Sequence, residues 1–320
     1  MKAAVYKKYG PPELVQVMEV AQPVPTENEV LIQVYASTVN RTDAGFRSAE
    51  YFVSRFWSGL FTPNYPILGS EFSGVVVDIG RRVKLFKPGD RVFGFNDETF
   101  GGHAEYMTIG ENKALATIPE NLDIYRSAAI AEGAHYALCN IRASRIRQGQ
   151  KALVYGATGA IGSAAVQLLK QKGVWVTAVC NSSNVDLVKK LGADEVIDYQ
   201  NQDFTKTATR YELIFDAVGK SSFKVCKPLL TGNGIYVSTE LGKNGENVIF
   251  ALLTPLFKSK KVIFPLPVSR KEDLLFLKTL VENNEFQPVI DREYSLDQIV
   301  EAYRYVETGQ KTGNVIVKIK

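Results

Sequence analysis

The sequence predicts an α/β protein in which an irregular β-barrel domain accompanies a doubly wound domain with a parallel sheet. Three observations predict this class. A chain of 320 residues is long for one core, since domains commonly hold about 100–200 residues. Its first third contains short apolar runs separated by Gly, Pro and Asn, which is typical of closely spaced antiparallel strands. Its middle alternates strand-like and helix-like segments, which indicates βαβ units.

The change of pattern divides the chain into three segments. Residues 1–121 form the first part of the β domain, and residues 122–262 form the parallel-sheet domain, which opens on a helical stretch from Asp123 to about Arg147. Residues 263–320 contain two further helical stretches and a last strand. The run Lys261–Val268 is apolar and contains two prolines, as expected of a strand at the edge of a sheet.

The most specific local signal is a glycine-rich turn between a strand and a helix. Glycines stand at 156, 159 and 162, whereas the usual dinucleotide spacing G-x-G-x-x-G places the first glycine at 157. The first glycine permits a tight turn, the second permits close approach of a pyrophosphate, and the third lets the helix pack on the sheet. A plain strand-to-helix turn is the alternative, but the position at the start of a βα series favours nucleotide binding. The predicted coenzyme-binding residues of this loop are Gly156, Ala157, Thr158, Gly159, Ala160, Ile161 and Gly162.

The end of the next strand bears on which dinucleotide binds. Sites for NAD place Asp or Glu there, about twenty residues on, to bond the ribose 2′-hydroxyl. Here Trp175–Cys180 runs into Asn181-Ser182-Ser183-Asn184, and the next carboxylate is Asp186, inside the following helix. An uncharged turn does not repel a 2′-phosphate, so we expect NADPH rather than NADH. The turn has no arginine, and a plain polar turn has the same composition, so NADH remains an alternative.

Scarcity of histidine and cysteine excludes several classes of site. With two histidines and three cysteines, the chain can build neither a four-cysteine nor a three-histidine zinc site. Glu132, His135 and Cys139 share one face of a predicted helix, but a bundle metal site of that kind needs a second such motif on another helix. We therefore expect no metal, and three separated thiols indicate reduced cysteines rather than a disulfide framework.

Charge and targeting signals are weak. Thirty-eight basic and thirty-four acidic residues are scattered along the chain, whereas nucleic-acid binding needs a concentrated basic stripe. The first eight residues alternate like a strand, and no run of about 18 apolar residues occurs. We expect a soluble, cytoplasmic protein that binds neither nucleic acid nor membrane.

Several ordered motifs together resemble a known family, the medium-chain dehydrogenase/reductase superfamily in its zinc-free, zeta-crystallin-like quinone oxidoreductase branch. The resemblance covers essentially the whole chain. It implies a GroES-like catalytic domain to which the C-terminal segment 263–320 returns, and a Rossmann domain for NADP. The motifs that carry it are Met1–Pro12, Leu68–Val76, Phe86–Val92, Gly101–Tyr106, the glycine-rich turn, Leu191–Asp194 and Thr312–Val315.

The resemblance also bears on zinc. Zinc-dependent relatives hold the metal through Cys-x-x-Asp, Gly-His-Glu and a third ligand. Here the first motif begins with Asn40, the second reads Gly69-Ser70-Glu71, and the third position falls near Glu132. An amide and a hydroxyl are poor zinc ligands, and the relatives' four-cysteine lobe is missing, so the resemblance implies chemistry without zinc.

The resemblance implies hydride transfer from NADPH to a quinone or to an alkene conjugated with a carbonyl. Asn40 is the first candidate catalytic residue: it bonds the substrate oxygen or the nicotinamide ribose, or it only caps the following turn. Tyr51 is the candidate acid, because zinc-free relatives often carry a tyrosine about ten residues after this asparagine. A pocket wall is an equal alternative for Tyr51, and water is an alternative proton donor.

The stretch from Phe46 to Tyr65 is rich in aromatic residues. It lines a lipophilic mouth or covers the β core, and Arg47 and Arg55 within it steer an anionic substrate or face water. On the coenzyme side the resemblance points to Asn181, Ser182, Asn184, Tyr199, Val218, Ser238, Thr239 and Asn314.

Two alternative functions remain open at this point. One is a 2-enoyl thioester reductase of the same superfamily, and the other is a non-catalytic NADPH-binding protein. Relatives pair through the edge of the Rossmann sheet, so the resemblance also implies a homodimer.

Overall fold

A computed structural model describes residues 1–50, 55–257 and 259–320. The candidate acid Tyr51 therefore lies outside the described residues. Among the helices of the described ranges, none is both long and apolar enough to cross a membrane.

The described chain forms two compact units. Unit 1 comprises residues 1–132 and 269–320, and unit 2 comprises residues 133–268. Unit 1 is thus assembled from two separate stretches of sequence. The boundaries predicted from the sequence, after residues 121 and 262, lie earlier in the chain at both junctions.

Unit 1 is mainly β structure. Its strands in the described chain are Lys2–Tyr6 (β1), Val15–Glu19 (β2), Glu29–Val39 (β3), Glu71–Ile79 (β4), Arg91–Phe95 (β5), Tyr106–Gly110 (β6), Leu115–Thr117 (β7), Ile290–Ser295 (β14) and Asn314–Lys318 (β15). Its helices are Arg41–Ser48 (α1), Arg55–Ser58 (α2), Ile124–Ser127 (α3), Lys271–Glu282 (α9) and Ile299–Glu307 (α10).

The main sheet of unit 1 is organised around the long strand β3. Its order is β14-β15-β3-β4-β5-β7, with β6 also paired to β3, while β1 and β2 form a separate pair. Apart from β14–β15, all these pairs are antiparallel. Val30, Ile32 and Val34 of β3 point into a core shared with Phe72 and Val76 of β4. β-branched residues at alternate positions fit a strand that is buried on one face, and the predicted antiparallel β domain is confirmed.

Unit 2 is a parallel sheet with helices between its strands. The strands are Lys151–Tyr155 (β8), Trp175–Cys180 (β9), Glu195–Asp198 (β10), Tyr211–Asp216 (β11), Leu230–Ser238 (β12) and Lys261–Ile263 (β13). The helices are Glu132–Ser144 (α4), whose first residue belongs to unit 1, Ala160–Gln171 (α5), Val185–Lys190 (α6), Phe223–Cys226 (α7) and Glu246–Leu253 (α8).

The order of this sheet is β10-β9-β8-β11-β12-β13, and every pair is parallel. The predicted doubly wound domain is confirmed. Ala152, Leu153 and Val154 of the central strand β8 are all fully buried, as expected for a strand that is covered on both faces. β13 lies at the edge, as predicted, but it ends at Ile263 because Pro265 and Pro267 follow.

One predicted helix is wrong in its extent. The stretch from Asp123 to Arg147 forms two helices, α3 and α4, rather than one. Asp123 caps the first by accepting two backbone N–H groups. The second helix, α4, begins where an oxygen of the Glu71 carboxyl group accepts the N–H groups of Ala131 and Glu132. A carboxyl group that is distant in sequence therefore caps its first turn.

The expectations for Arg47 are also wrong. Its side chain is fully buried, where it donates to the Gly10 carbonyl and pairs with Glu307. The guanidinium also lies 5.1 Å from the centroid of the Tyr303 ring. A paired, buried guanidinium supports the fold and is available neither to substrate nor to bulk water.

Candidate functional site

The glycine-rich turn of unit 2 lies where the strand order of the sheet reverses. After β8 the chain builds β9 and β10 on one side, then crosses to β11 on the other side of β8. Ligands of open α/β sheets bind outside the carboxyl ends of the strands at such a reversal. Gly156 follows β8, and Val218 follows β11, so both lie at this point of the sheet.

The space around each of the three glycines shows whether a larger side chain would fit there. Gly156 has φ +77°, and a Cβ there would lie 2.5 Å from the Val218 side chain. A Cβ on Gly162 would lie 2.0 Å from the Gly156 carbonyl oxygen, whereas one on Gly159 would come no closer than 3.9 Å to that oxygen. The first and third glycines are thus required by packing, and the second borders open space.

The start of α5 supplies donors beside that open space. Gly159 is the N-cap, and the N–H groups of Ala160, Ile161 and Gly162 fall in the first turn, where they have no partner within the helix. Together with the helix dipole they fit a diphosphate. Ala157 has another task, because its N–H donates to the Val179 carbonyl at 3.1 Å and fixes the loop to β9.

The turn after β11 is built on a buried carboxylate. Asp216 accepts the backbone N–H groups of Val218 at 3.2 Å and Gly219 at 2.8 Å, and the hydroxyl of Tyr236 at 3.1 Å. Burial raises the pKa of Asp216, while these hydrogen bonds act in the opposite direction. The turn fixes Val218 against Gly156. Thr239, another predicted coenzyme residue, donates its N–H to the Asp216 carbonyl at 3.2 Å, and the Ser238 hydroxyl beside it accepts the N–H of Glu240.

The predicted residues at the adenosine end meet a carboxylate that sequence reasoning missed. Asn184 donates to the side chain of Asn181 at 2.7 Å, but Ser182 donates its hydroxyl to Asp198 at 2.5 Å. The turn itself is uncharged, as its sequence indicates, but the Asp198 carboxylate lies beside it. Asp198 ends β10, opposite Cys180 at the end of the parallel strand β9, so the signal lay in the pairing of strands rather than in the turn. Tyr199 follows Asp198 and is half exposed.

In unit 1, the Asn40 side chain both caps a helix and bonds to Ser70, the residue that the resemblance places at a second ligand position of zinc-dependent relatives. It is the N-cap of α1, where its Oδ1 accepts the Asp43 N–H at 2.8 Å. Its Nδ2 donates to the Ser70 hydroxyl oxygen at 2.9 Å. The capping role that the sequence left open is therefore present, and both side chains are buried.

Three buried carboxyl groups surround this pair. Asp43 accepts the N–H groups of Gly69 and Ser70 at 3.1 Å through Oδ1, and its Oδ2 has no hydrogen-bond partner among the described residues. Burial, and then the charge of Glu132, raise the pKa of Asp43 to about 8. The same causes, in the same order, raise the pKa of Glu71 to about 8.

Glu132 is the third carboxyl group, and it stands near the position of the third zinc ligand. It accepts the hydroxyl of Thr42 at 2.9 Å, and burial raises its pKa while the charge of Lys311 lowers it. Burial lowers the pKa of Lys311, and the charges of Glu132 and Glu71 oppose that effect. The charges of Lys311 and Glu132 thus act on each other, and the Lys311 amine donates to the Gly313 carbonyl at 2.5 Å.

Both histidines are buried within the fold. Nε2 of His103 lies 2.8 Å from the Thr38 carbonyl oxygen, and Nδ1 lies 3.4 Å from the Tyr303 hydroxyl. Since a carbonyl only accepts, Nε2 carries the proton, and burial lowers the pKa of His103 to about 4. His135 is buried on α4. Within the described ranges, no group of three or more His, Cys, Asp or Glu side chains is placed to hold a metal ion.

The remaining predicted features are divided between core and surface. Asn314 starts β15 in unit 1, where its side chain donates to the Val289 carbonyl at 3.0 Å. In the aromatic stretch, Phe46 and Tyr65 pack on Phe100, with ring centroids 5.0 and 6.3 Å apart. Trp57 and Phe61 are exposed. One part of the stretch thus covers the core, and another part faces outward.

Comparisons with known proteins agree with this architecture. The model of the alcohol dehydrogenase GroES-like domain matches residues 26–120, and that of the zinc-binding dehydrogenase family matches residues 191–317. The chain is 31% identical to the chloroplastic quinone-oxidoreductase QR1 of Triphysaria versicolor, over 99% of this chain and 98% of that protein. It is 28% identical to the chloroplastic NADPH-dependent alkenal/one oxidoreductase of Arabidopsis thaliana, over 99% of this chain and 79% of that protein.

A solved structure gives the same result. The quinone oxidoreductase from Coxiella burnetii superposes with a TM-score of 0.89 at 26% identity, covering 100% of this chain and 99% of that one. Since relatives and structure agree along the whole length, the chain belongs to the medium-chain dehydrogenase/reductase superfamily, in its quinone oxidoreductase branch, and is an oxidoreductase that uses a nicotinamide coenzyme.

Proposed function

We propose that this protein reduces quinones and alkenes conjugated to a carbonyl, with hydride from NADPH and without zinc. The names of the Triphysaria and Arabidopsis relatives support the two substrate classes, and the second name also supports NADPH. The observation that carries the proposal is the hydrogen bond of 2.9 Å from Asn40 to Ser70, which links two positions where zinc-dependent relatives hold their metal.

The donor atoms at these positions do not fit a catalytic zinc. A ligand must offer the metal an unshared electron pair, but the pair on the Asn40 nitrogen is delocalised into its carbonyl group, and the Asn40 oxygen already accepts the Asp43 N–H. The Ser70 oxygen accepts the Asn40 amide. Only Glu132, the third position, is of a type that binds zinc well. Without a Lewis acid the favoured substrates are those already electron-poor, such as quinones and enones.

The glycine-rich turn fits the coenzyme. The open space at Gly159 and the donors of the first turn of α5 would hold its diphosphate, and Val218 would border the same crevice. When bound, the coenzyme supplies the hydride. The protein contributes a fixed position for it, since both the loop and the turn on Asp216 are braced by backbone hydrogen bonds.

Asn40 and Ser70 would stabilise the oxygen on which negative charge develops. Because the Ser70 oxygen accepts from Asn40, its own hydroxyl hydrogen remains available for donation, as does the second amide hydrogen of Asn40. Preorganised donors of this kind act on the transition state more than on the substrate. Asp43 and Glu71, with pKa values of about 8, are protonated at neutral pH, which limits negative charge near that oxygen. Tyr51, outside the described residues, stays the predicted acid.

A substrate panel tests the proposal. We expect oxidation of NADPH with quinones and short enals, no reduction of NADP⁺ by ethanol, and unchanged rates after dialysis against a chelator. Turnover with ethanol, or loss of activity on chelation that zinc restores, would overturn it. Turnover with 2-enoyl coenzyme A thioesters but not with quinones or enals would favour the thioester reductase.

A further inference from the structure

We propose that Asp198 makes NADH a working coenzyme of this protein, alongside NADPH. Its carboxylate would accept a hydrogen bond from the 2′-hydroxyl of the adenosine ribose and would repel a 2′-phosphate at the same place. The inference rests on the proposed function and specifies its coenzyme further.

The position of Asp198 follows from the topology of unit 2. In sheets of this kind the adenosine ribose lies at the carboxyl end of the second strand, beyond the glycine-rich turn. That strand is β9, which ends at Cys180, and Asn181 and Ser182 follow it. β10 runs parallel beside β9 and places Asp198 opposite Cys180. The carboxylate thus reaches the edge where a dinucleotide-binding sheet places an acidic residue, although it comes from the neighbouring strand.

Three hydrogen bonds hold the carboxylate there. Ser182 donates its hydroxyl to Oδ2 at 2.5 Å, and Asn201 donates its amide to the same oxygen at 2.6 Å. The backbone N–H of Gln200 donates to Oδ1 at 3.0 Å. These bonds, with that of Ser182 first, lower the pKa of Asp198, so the carboxylate is charged at neutral pH.

This arrangement favours a ribose hydroxyl over a phosphate. A carboxylate offers about four acceptor sites, and three are engaged here, so one remains for the 2′-hydroxyl of NADH. A 2′-phosphate has only acceptor oxygens at neutral pH. It would meet a negative charge, and the nearby hydroxyl of Ser182 and amide of Asn201 already donate to Asp198. The same side chain therefore favours one coenzyme and disfavours the other.

The test compares coenzyme binding in two matched variants. Asp198→Asn removes the charge and keeps the shape of the side chain. Asp203→Asn is the control, because Asp203 is an exposed carboxylate five residues further on, and it accepts the N–H and the hydroxyl of Thr205. Dissociation constants of NADPH and NADH are measured by fluorescence titration on each full-length protein. A second variant, Asp198→Ser, removes the charge by a different side chain, and thermal unfolding of all proteins checks their folding.

We expect wild type to bind NADH with an affinity within about tenfold of NADPH. In Asp198→Asn and Asp198→Ser, the preference for NADPH over NADH should rise by roughly tenfold, the effect of one partly screened charge, while Asp203→Asn should match wild type. A preference unchanged within twofold in both Asp198 variants would overturn the proposal, as would wild type that binds NADPH more than about 100-fold tighter than NADH. Coenzyme binding without turnover of any quinone or enal would contradict the proposed function instead. The comparison of dissociation constants would still test the role of Asp198.

Discussion

The buried guanidinium of Arg47 forms an ion pair with the carboxylate of Glu307. The pair joins α1, the helix capped by Asn40, to α10 near the end of the chain, and the Arg47 side chain is only 1% exposed, against 38% for Glu307. The guanidinium has little access to water, so Glu307 and the Gly10 carbonyl supply its hydrogen bonds, while its Nε has no hydrogen-bond partner among the described residues.

Arg47→Met should therefore destabilise the protein by about 2 kcal/mol, because the Gly10 carbonyl loses its donor, whereas the exposed Glu307 carboxylate can bind water instead. The control is Arg304→Met, since Arg304 makes an exposed pair with Glu13 at 2.8 Å and surface pairs contribute at most about 1 kcal/mol. Urea unfolding of both variants measures the difference. Equal losses would show that burial does not distinguish the two pairs.

The protonated state of Asp43 should be visible in the pH dependence of stability. Its pKa is about 8 in the folded chain against 3.8 for an ordinary aspartate, so the folded state holds the proton more tightly. The stability from this proton is complete below about pH 4, falls as pH rises through the range 4–8, and is lost above it, with a slope of at most about 1.4 kcal/mol per pH unit.

Asp43→Asn mimics the protonated carboxyl group and should remove part of the loss of stability with rising pH. The other part should remain, because Glu71 also has a raised pKa. Relative to wild type, the variant should gain stability between pH 5 and pH 9, measured as the free energy of unfolding in urea. Asp203→Asn, at an exposed carboxylate, should show no such gain. If the free energies of unfolding of wild type and Asp43→Asn differed by the same amount at pH 5 and at pH 9, the raised pKa of Asp43 would be contradicted.

The glycine-rich turn should tolerate a methyl group at one position and not at another. Gly162→Ala would bring a Cβ within 2.0 Å of the Gly156 carbonyl oxygen, so we expect loss of coenzyme binding together with a lower melting temperature. Gly159→Ala has room within the protein, where the nearest atom is 3.9 Å away, and should keep the melting temperature while weakening coenzyme binding. Gly232→Ala, with nothing within 4 Å, is the control. Normal coenzyme affinity in Gly159→Ala would place the diphosphate elsewhere.

Asn40 and Ser70 should act as one unit. Asn40→Ala and Ser70→Ala are each expected to lower kcat/KM for quinone by about tenfold or more, and the double variant should lose less than the product of the two single effects. Asn40→Ala should also lose about 1 kcal/mol of stability with its helix cap. The control, Asn121→Ala, removes an amide that donates to the Val281 carbonyl at 2.8 Å and should leave kcat/KM unchanged. Strictly multiplicative losses would argue against coupling.

The homodimer stays a proposal, and an apolar surface of unit 2 supports it. This surface lies on α8 and the residues directly after it, and its exposed side chains are Ile249, Leu252, Leu253, Leu256 and Phe257. Contiguous exposed apolar residues typically mark an interface. We expect a dimeric mass by light scattering at micromolar concentration and a monomer for Leu252→Asp combined with Leu256→Asp. Val24→Asp, at an exposed valine of unit 1, should remain dimeric, and a monomeric wild type would refute the proposal.

Local patterns were sufficient for the fold and for one part of the site. The spacing of strands and helices and the glycines at 156, 159 and 162 predict the parallel sheet and its turn because they depend on neighbours in sequence. Two groups were missed, the Asp198 carboxylate, which ends β10 beside the end of β9, and the Glu71 carboxyl group at the start of α4, because strand pairing and folding bring them there. The burial of Arg47 likewise depends on Glu307, 260 residues away. The cytoplasmic location expected from the first residues stays a prediction.

The division of unit 1 into two stretches of sequence has a consequence for synthesis. β3 ends at Val39 and pairs over residues 36–39 with β15, which begins only at Asn314. All six strands of unit 2 precede it in the chain. On the ribosome, unit 2 can therefore close its sheet while β3 still lacks its neighbour β15 along those residues, and domains generally fold as they emerge. A nascent chain stalled before Asn314 would carry a finished nucleotide-binding unit and a β3 edge without β15, and unpaired strand edges are prone to aggregate.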